Sequence, residues 1–125
     1  MYQIQIASIP FYFNNQLVWV LISVGTVYFL VGRLMKNHHP PDINGLAGYR
    51  TSRSMKNQEC WDFAQLIAGK KMSQFGKTGI LIGLISIIIP IPDPWDFCLG
   101  IIWVLLSCSI LIYSVEKSLK RKFGK

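Results

Sequence analysis

The stretch from Asn44 to Phe63, NGLAGYRTSRSMKNQECWDF, gathers most of the side chains in this sequence that could bind or fasten something. Arg50 carries a planar, permanently charged group with five donors, suited to loop carbonyls, a phosphate or a carboxylate. Asn44 and Thr51 are short polar residues that fasten backbone locally, and Asn44-Gly45 is a turn signal. Gly48 allows a sharp bend before Tyr49. Ser54 and Asn57 are both good helix N-cap types, with Glu59 placed favourably in the first turn that follows. Trp61 offers an apolar body with a polar tip, the chemistry of an interfacial anchor. Such a block serves as a folded cap, as a surface for a peptide, lipid headgroup or protein, or as a catalytic site. Catalysis has the least to stand on. No Ser-His-Asp arrangement, nucleotide-type phosphate loop or Cys-x-x-Cys pair is present. His38 and His39 are adjacent and lack a third ligand, so they read as solvated loop residues and not as a metal site. The expectation is a protein that is not an enzyme, with no cofactor and no metal.

The surroundings of the block are strongly apolar. Hydrophobic residues make up 51% of the 125-residue chain, and they are clustered. Residues 17–32, 78–92 and 97–115 form three apolar runs that contain no Asp, Glu, Lys, Arg or His. A helix rises about 1.5 Å per residue, so roughly 20 residues cross a bilayer core. The reading is an all-α integral membrane protein in a single membrane domain over 1–125. It has three transmembrane helices, at about 16–36, 76–91 and 94–116, plus a cytoplasmic amphipathic interfacial helix. The second run is short and must borrow Phe75–Lys77 or thin the bilayer. The first run lacks a preceding basic residue and a cleavage site, so it reads as a retained span and not as a signal peptide.

The loop and surface helix occupy 38–75. His38-His39-Pro40-Pro41 ends the first helix near Asn37. A new helix begins near Ser54 or Asn57. Cys60, Trp61, Phe63, Ala64, Ile67, Ala68, Met72 and Phe75 recur on one side of it, with Asp62, Gln65, Lys70, Lys71 and Gln74 on the other. It feeds into the second span around Gly76–Gly79. Asn14 or Asn15 caps the first span, and Asp93 caps the third, with Pro94 and Asp96 in its first turn.

Charge sets the expected orientation. The net charge is +7, and the cations concentrate between Arg33 and Lys77 and after Glu116, while the 90–96 turn holds only Asp93 and Asp96. Basic loops stay inside, which puts the N-terminus outside and the C-terminus in the cytoplasm. Tyr12, Phe13, Trp19, Trp95 and Phe97 then fall near the outer interface, and Tyr28, Phe29, Trp61, Phe75 and Tyr113 near the inner one. The basic balance is a topology signal that also attracts anionic lipid; nucleic acid is not an expected partner. Cys60, Cys98 and Cys108 lie at different depths and form no pair within the chain.

Small residues recur at seven-residue spacing. Gly25 and Gly32 mark the first span, Gly69, Gly76 and Gly83 the surface helix and second span, and Gly100, Ser107 and Ser114 the third; Gly79 forms a Gly-x-x-x-Gly pair with Gly83. Helices in lipid associate through such positions. They read as packing seams of a three-helix bundle, with homo-oligomer contacts as the competing use. No ionisable residue interrupts the three apolar cores, which argues against a stand-alone transporter.

The order Pro41, Asn44, Gly48, Tyr49, Arg50, Thr51, Ser54, Asn57, Trp61, Gly69 resembles the hallmark loop of the SdpI/YfhL-type membrane proteins, and the flanking spans fit that family's layout. Larger members carry additional N-terminal spans, so this chain looks like a short form. The resemblance implies a bacterial plasma-membrane protein that protects the cell from a secreted toxin or antimicrobial peptide by non-enzymatic binding. The alternatives are a membrane scaffold that recruits or sequesters a cytosolic regulator, and an accessory subunit of a transporter. On the resemblance, Asn44, Gly48, Tyr49, Arg50, Thr51, Asn57 and Trp61 form the binding motif.

Overall fold

The computed structural model describes residues 15–89 and 91–124. The expected surface segment before the first span, Asn14 as a cap, Tyr12 and Phe13 at an interface, and Pro90 as a helix stop all lie outside the described residues. Three helices follow one another: α1 (Gln16–His38), α2 (Gln58–Ser86) and α3 (Trp95–Phe123). No strand occurs among the described residues.

The helices run up, down and up. Gly25 meets Gly76 and Gly32 meets Gly69, so α1 and α2 are antiparallel; Val20 meets Gly100 and Tyr28 meets Cys108, so α1 and α3 are parallel. The α1·α2 seam is backbone against backbone. A Cβ at Gly69 would lie 2.7 Å from the Lys36 nitrogen and 2.8 Å from the Gly32 carbonyl oxygen, and one at Gly25 would lie 2.9 Å from the Gly76 carbonyl oxygen. Only glycine allows this approach, and the close packing it permits is what holds helices together where lipid removes the hydrophobic drive. Elsewhere, Gly79 lies under the Trp103 ring, Gly83 under Leu21 and Ile22, and Gly100 under Val20. Ser107 is buried, and Ser114 half-buried.

Two helices, α1 and α3, are long and apolar enough to cross a membrane. Much of their apolar surface faces outward: Leu30, Leu34, Leu105, Leu106 and Ile112 are exposed. Exposed apolar area on this scale needs a nonaqueous neighbour. α2 is long enough but less apolar, because its first half is polar and charged.

The structure departs from the sequence reading in four places. The expected surface helix and second span are one uninterrupted α2, which runs through Gly76, packed on the α1 backbone, and Gly79, packed under Trp103. The first half of α2 is not laid on a surface. Trp61, Ala64, Gln65 and Ala68 have no exposed area, because the 39–57 loop and the end of α3 cover them. Asp93 is not the cap of α3: the helix starts after Pro94 with no side-chain cap. Finally, α3 continues past residue 116 to Phe123, since Val115 and Leu119 bury against Cys60, Ala64 and Ala68 and the basic last turn suits the helix dipole.

The end of the bundle where α1 and α3 begin is tied by two side chains. Asn15 caps α1 by accepting from Leu17 N (3.1 Å), and its amide donates to the Ser86 carbonyl (3.1 Å) at the end of α2. Asp96 is fully buried and accepts from Gln16 N (2.8 Å) and Phe97 N (2.7 Å), so one carboxylate serves the N-termini of both α1 and α3. All three cysteines are free; Cys60 is buried in the core, while Cys98 and Cys108 are exposed on α3.

Candidate functional site

At the opposite end of the bundle, the chain between α1 and α2 folds back over the bundle. Pro40 and Pro41 keep it extended after His38 and turn its carbonyls toward α2. Trp61 Nε1 donates to the Pro40 carbonyl (2.9 Å), and Gln58 Nε2 donates to the Pro41 carbonyl and to Asp62 Oδ1. Trp61 is therefore a buried post for the loop and not an interfacial anchor: its ring is covered by protein. The loop tip is a local Asn turn. Asn44 Oδ1 accepts from Leu46 N and Ala47 N (both 2.9 Å), and Arg50 Nη1 donates to the Gly45 carbonyl.

Gly48 then turns the chain with φ +105°, a conformation that side-chain-bearing residues avoid. The turn delivers the Tyr49 backbone to Gln65. The Tyr49 N–H donates to Gln65 Oε1 (2.7 Å), and Gln65 Nε2 donates to the Tyr49 carbonyl (2.8 Å). Gln65 thus pairs with a loop residue as a neighbouring strand would. Thr51 and Ser54 close a second small turn: Thr51 N donates to Ser54 Oγ (2.8 Å), and Ser54 N donates to Thr51 Oγ1 (3.2 Å). Asn57 caps α2 by accepting from Cys60 N (2.8 Å).

Glu116 on α3 collects the loop. Its Oε1 accepts from the Tyr49 hydroxyl (3.0 Å) and the Thr51 hydroxyl (2.7 Å), and its Oε2 pairs with Arg53 Nη1 at 3.0 Å. Burial, and then the carboxylate beside it, push the Tyr49 phenol well above its usual value. Next to this hub lies a cavity of about 500 Å³, lined by Thr51, Arg53, Lys56, Asn57, Cys60 and Glu116, among others. Its chemistry is two cations, hydroxyl and amide groups and one carboxylate already engaged by the loop. Such a set suits hydrogen bonds and charge contacts with a polar ligand. Among the described residues no cluster of three His, Cys, Asp or Glu side chains comes together to hold a metal. His39 lies 3.7 Å from Asp62.

The structure divides the expected motif into three jobs. Tyr49 and Thr51 converge on Glu116. Asn44 and Arg50 stiffen the exposed tip. Gly48, Asn57 and Trp61 set the backbone path and the start of α2. Gln65, Arg53 and Glu116 are absent from the sequence reading of the site. Gln65 had one signal: it shares a stripe with Trp61, Ala64 and Ala68, so it lies on the buried side. Glu116 had none, because its partners are more than 60 residues away.

The model of the SdpI/YfhL protein family matches residues 42–115, from the loop through most of α3. The chain is 31% identical over 100 residues to the protein described as "Uncharacterized protein YfhL" of Bacillus subtilis (strain 168), covering 77% of this chain and 82% of that protein. No solved structure matches the chain. With the loop from Asp42, its posts on α2 and α3 as far as Val115 inside a match that covers more than half its length, this membrane protein belongs to the SdpI/YfhL family.

Proposed function

We propose that the protein protects a bacterial cell from a secreted, membrane-active peptide by binding it without catalysis. The observation that carries this reading is the family match running through the loop that Gln65 and Glu116 hold in place. A polar-lined cavity of about 500 Å³ between that loop, the start of α2 and the end of α3 would receive the polar end of a membrane-active peptide. In this reading α2 crosses the membrane with its neighbours. It packs along α1 from Gly69 to Ser86, and 29 residues of helix reach about 43 Å. In the same reading the loop and the C-terminus, which carry most of the Lys and Arg residues, lie in the cytoplasm and the N-terminus outside.

The test is survival of a toxin-sensitive bacterium expressing the protein, challenged with a panel of secreted antimicrobial peptides. Membrane abundance is checked by blot. The wild type is expected to protect, and Arg53→Ala combined with Lys56→Ala to protect at least tenfold less at normal abundance. Wild-type protein that protects against no peptide in the panel overturns the reading.

One observation favours a second reading, recruitment of a cytosolic regulator. Leu46 is 92% exposed at the tip that Asn44 and Arg50 stiffen, an apolar side chain held out from a rigid turn. Co-purification of a soluble partner that is lost with Leu46→Ser, with no protection by the wild type, selects this alternative.

A further inference from the structure

A basic groove lies on the α1·α2 face, at the end of the bundle that carries the loop, and neither the loop nor α3 lines it. Arg33 and Lys36 come from α1, and Lys70 and Lys77 from α2; Ser73 and Gln74 lie between them. The cavity measures about 360 Å³, and no carboxylate lines it. None of its four cations forms an ion pair among the described residues. Like charges held together without a counterion are unfavourable unless an anion joins them.

The glycine seam brings these cations together. Contacts of Gly32 with Gly69 and of Gly25 with Gly76 fix the register of α1 against α2, which puts Arg33 and Lys36 level with Lys70 and Lys77. Arg33 and Lys77 both stack on the Phe29 ring, at 5.7 and 5.9 Å from its centroid. Phe29 and Lys77 also begin a second groove of about 260 Å³, which continues along Ile80, Leu81 and Leu84 toward the middle of the bundle. The cationic pocket and the apolar groove therefore adjoin at Phe29 and Lys77 on one face of two packed helices.

We propose that this composite groove is a binding site for one anionic phospholipid. The phosphate diester sits among Arg33, Lys36, Lys70 and Lys77, and an acyl chain lies along Ile80, Leu81 and Leu84. A free phosphate satisfies only the first half of the site, and a neutral lipid only the second. Basic pockets between helices at the membrane surface recognise anionic headgroups in this way.

The full chain in mild detergent, equilibrated with mixed phosphatidylglycerol and phosphatidylcholine vesicles, is measured by native mass spectrometry for retained lipid. The wild type is expected to retain phosphatidylglycerol in preference to phosphatidylcholine. Lys70→Gln with Lys77→Gln should lower that retention on the order of tenfold or more. Lys120→Gln with Arg121→Gln removes the same charge at the end of α3, away from the groove, and should leave it unchanged. Leu81→Trp fills the apolar channel without touching charge and should also lower retention, so the proposal stays testable if the double lysine variant misfolds. Excess inorganic phosphate should not displace the lipid. Equal loss in the α3 variant means diffuse attraction only and overturns the site. Displacement by inorganic phosphate means a free-anion site and overturns the lipid assignment. So does full retention in both groove variants.

Discussion

Gln65 holds the backbone of Tyr49 at both of its polar groups, accepting from the N–H at 2.7 Å and donating to the carbonyl at 2.8 Å. Gln65 itself has no exposed area. A loop that would otherwise need solvent for these groups obtains both partners from one side chain on α2, so the loop is part of the packed structure.

Replacing Gln65 with Leu keeps the volume and removes both partners. Two backbone groups are then buried without hydrogen bonds, at about 1–3 kcal/mol each. We expect lower thermal stability in detergent and faster amide exchange at Tyr49 and Thr51. Gly48→Ala should act on the same contact. Its Cβ would lie 2.6 Å from Gln65 Oε1 on a backbone with φ +105°, so strain and clash add. Native exchange at Tyr49 in either variant would show that the pairing does not hold the loop.

The Tyr49 phenol gives the loop a pH dependence of known sign. Burial, then the hydrogen bond to Glu116 and its charge, raise the phenol above the unfolded value of about 10, so the folded state favours the neutral form. That contribution is fully present below pH ~10 and is lost as pH rises above it. The expected outcome is alkaline release of the loop, read as increased protease cleavage between Asn44 and Asn57. Tyr49→Phe should flatten the profile above pH ~10 while losing the Glu116 contact at every pH. An unchanged alkaline profile in the variant would assign the transition to another group.

The same pair marks how far residue patterns carry. Apolar runs and seven-spaced glycines made the helices and the α1·α2 contact readable, because both depend on spacing within a helix. Asn15 and Asn57 were each readable as one of two candidate caps, beside Asn14 and Ser54, for the same local reason. Gln65 was assigned to a solvent face because an amide looks polar wherever it sits; its burial depends on a loop that returns to it across 16 positions. Trp61 was assigned to the membrane interface, and its Nε1 instead found a carbonyl 21 positions back. Glu116 stood out only as an acid among lysines. A site closed by contacts between distant segments leaves little trace in any one of them.

The α1·α2 seam should be the part of the fold least tolerant of added atoms. At Gly69 and Gly25 a methyl group meets backbone, which cannot rotate away, and overpacking of this kind costs about 1–3 kcal/mol. Gly69→Ala should lower the unfolding midpoint in detergent. Gly45→Ala is the matched control: nothing lies within 4 Å of its Cβ position, and its effect should stay within about 0.5 kcal/mol. Equal effects at both sites would mean that the seam is not close-packed.

Asp96 should matter to two helices at once. Its carboxylate accepts from Gln16 N at 2.8 Å and from Phe97 N at 2.7 Å, and it sits where the positive ends of the parallel α1 and α3 dipoles meet. Buried charge is costly when unpaired, and here two backbone donors and two helix termini offset that cost. Asp96→Ala leaves both donors unsatisfied, at about 1–3 kcal/mol each, and should fray the starts of α1 and α3 together. Asp96→Asn keeps one acceptor oxygen and should lose less. Amide exchange at Gln16 and Phe97 is the measurement. Fraying confined to α3 would reduce Asp96 to a residue of its own helix, whereas coupled fraying establishes it as the tie between the two.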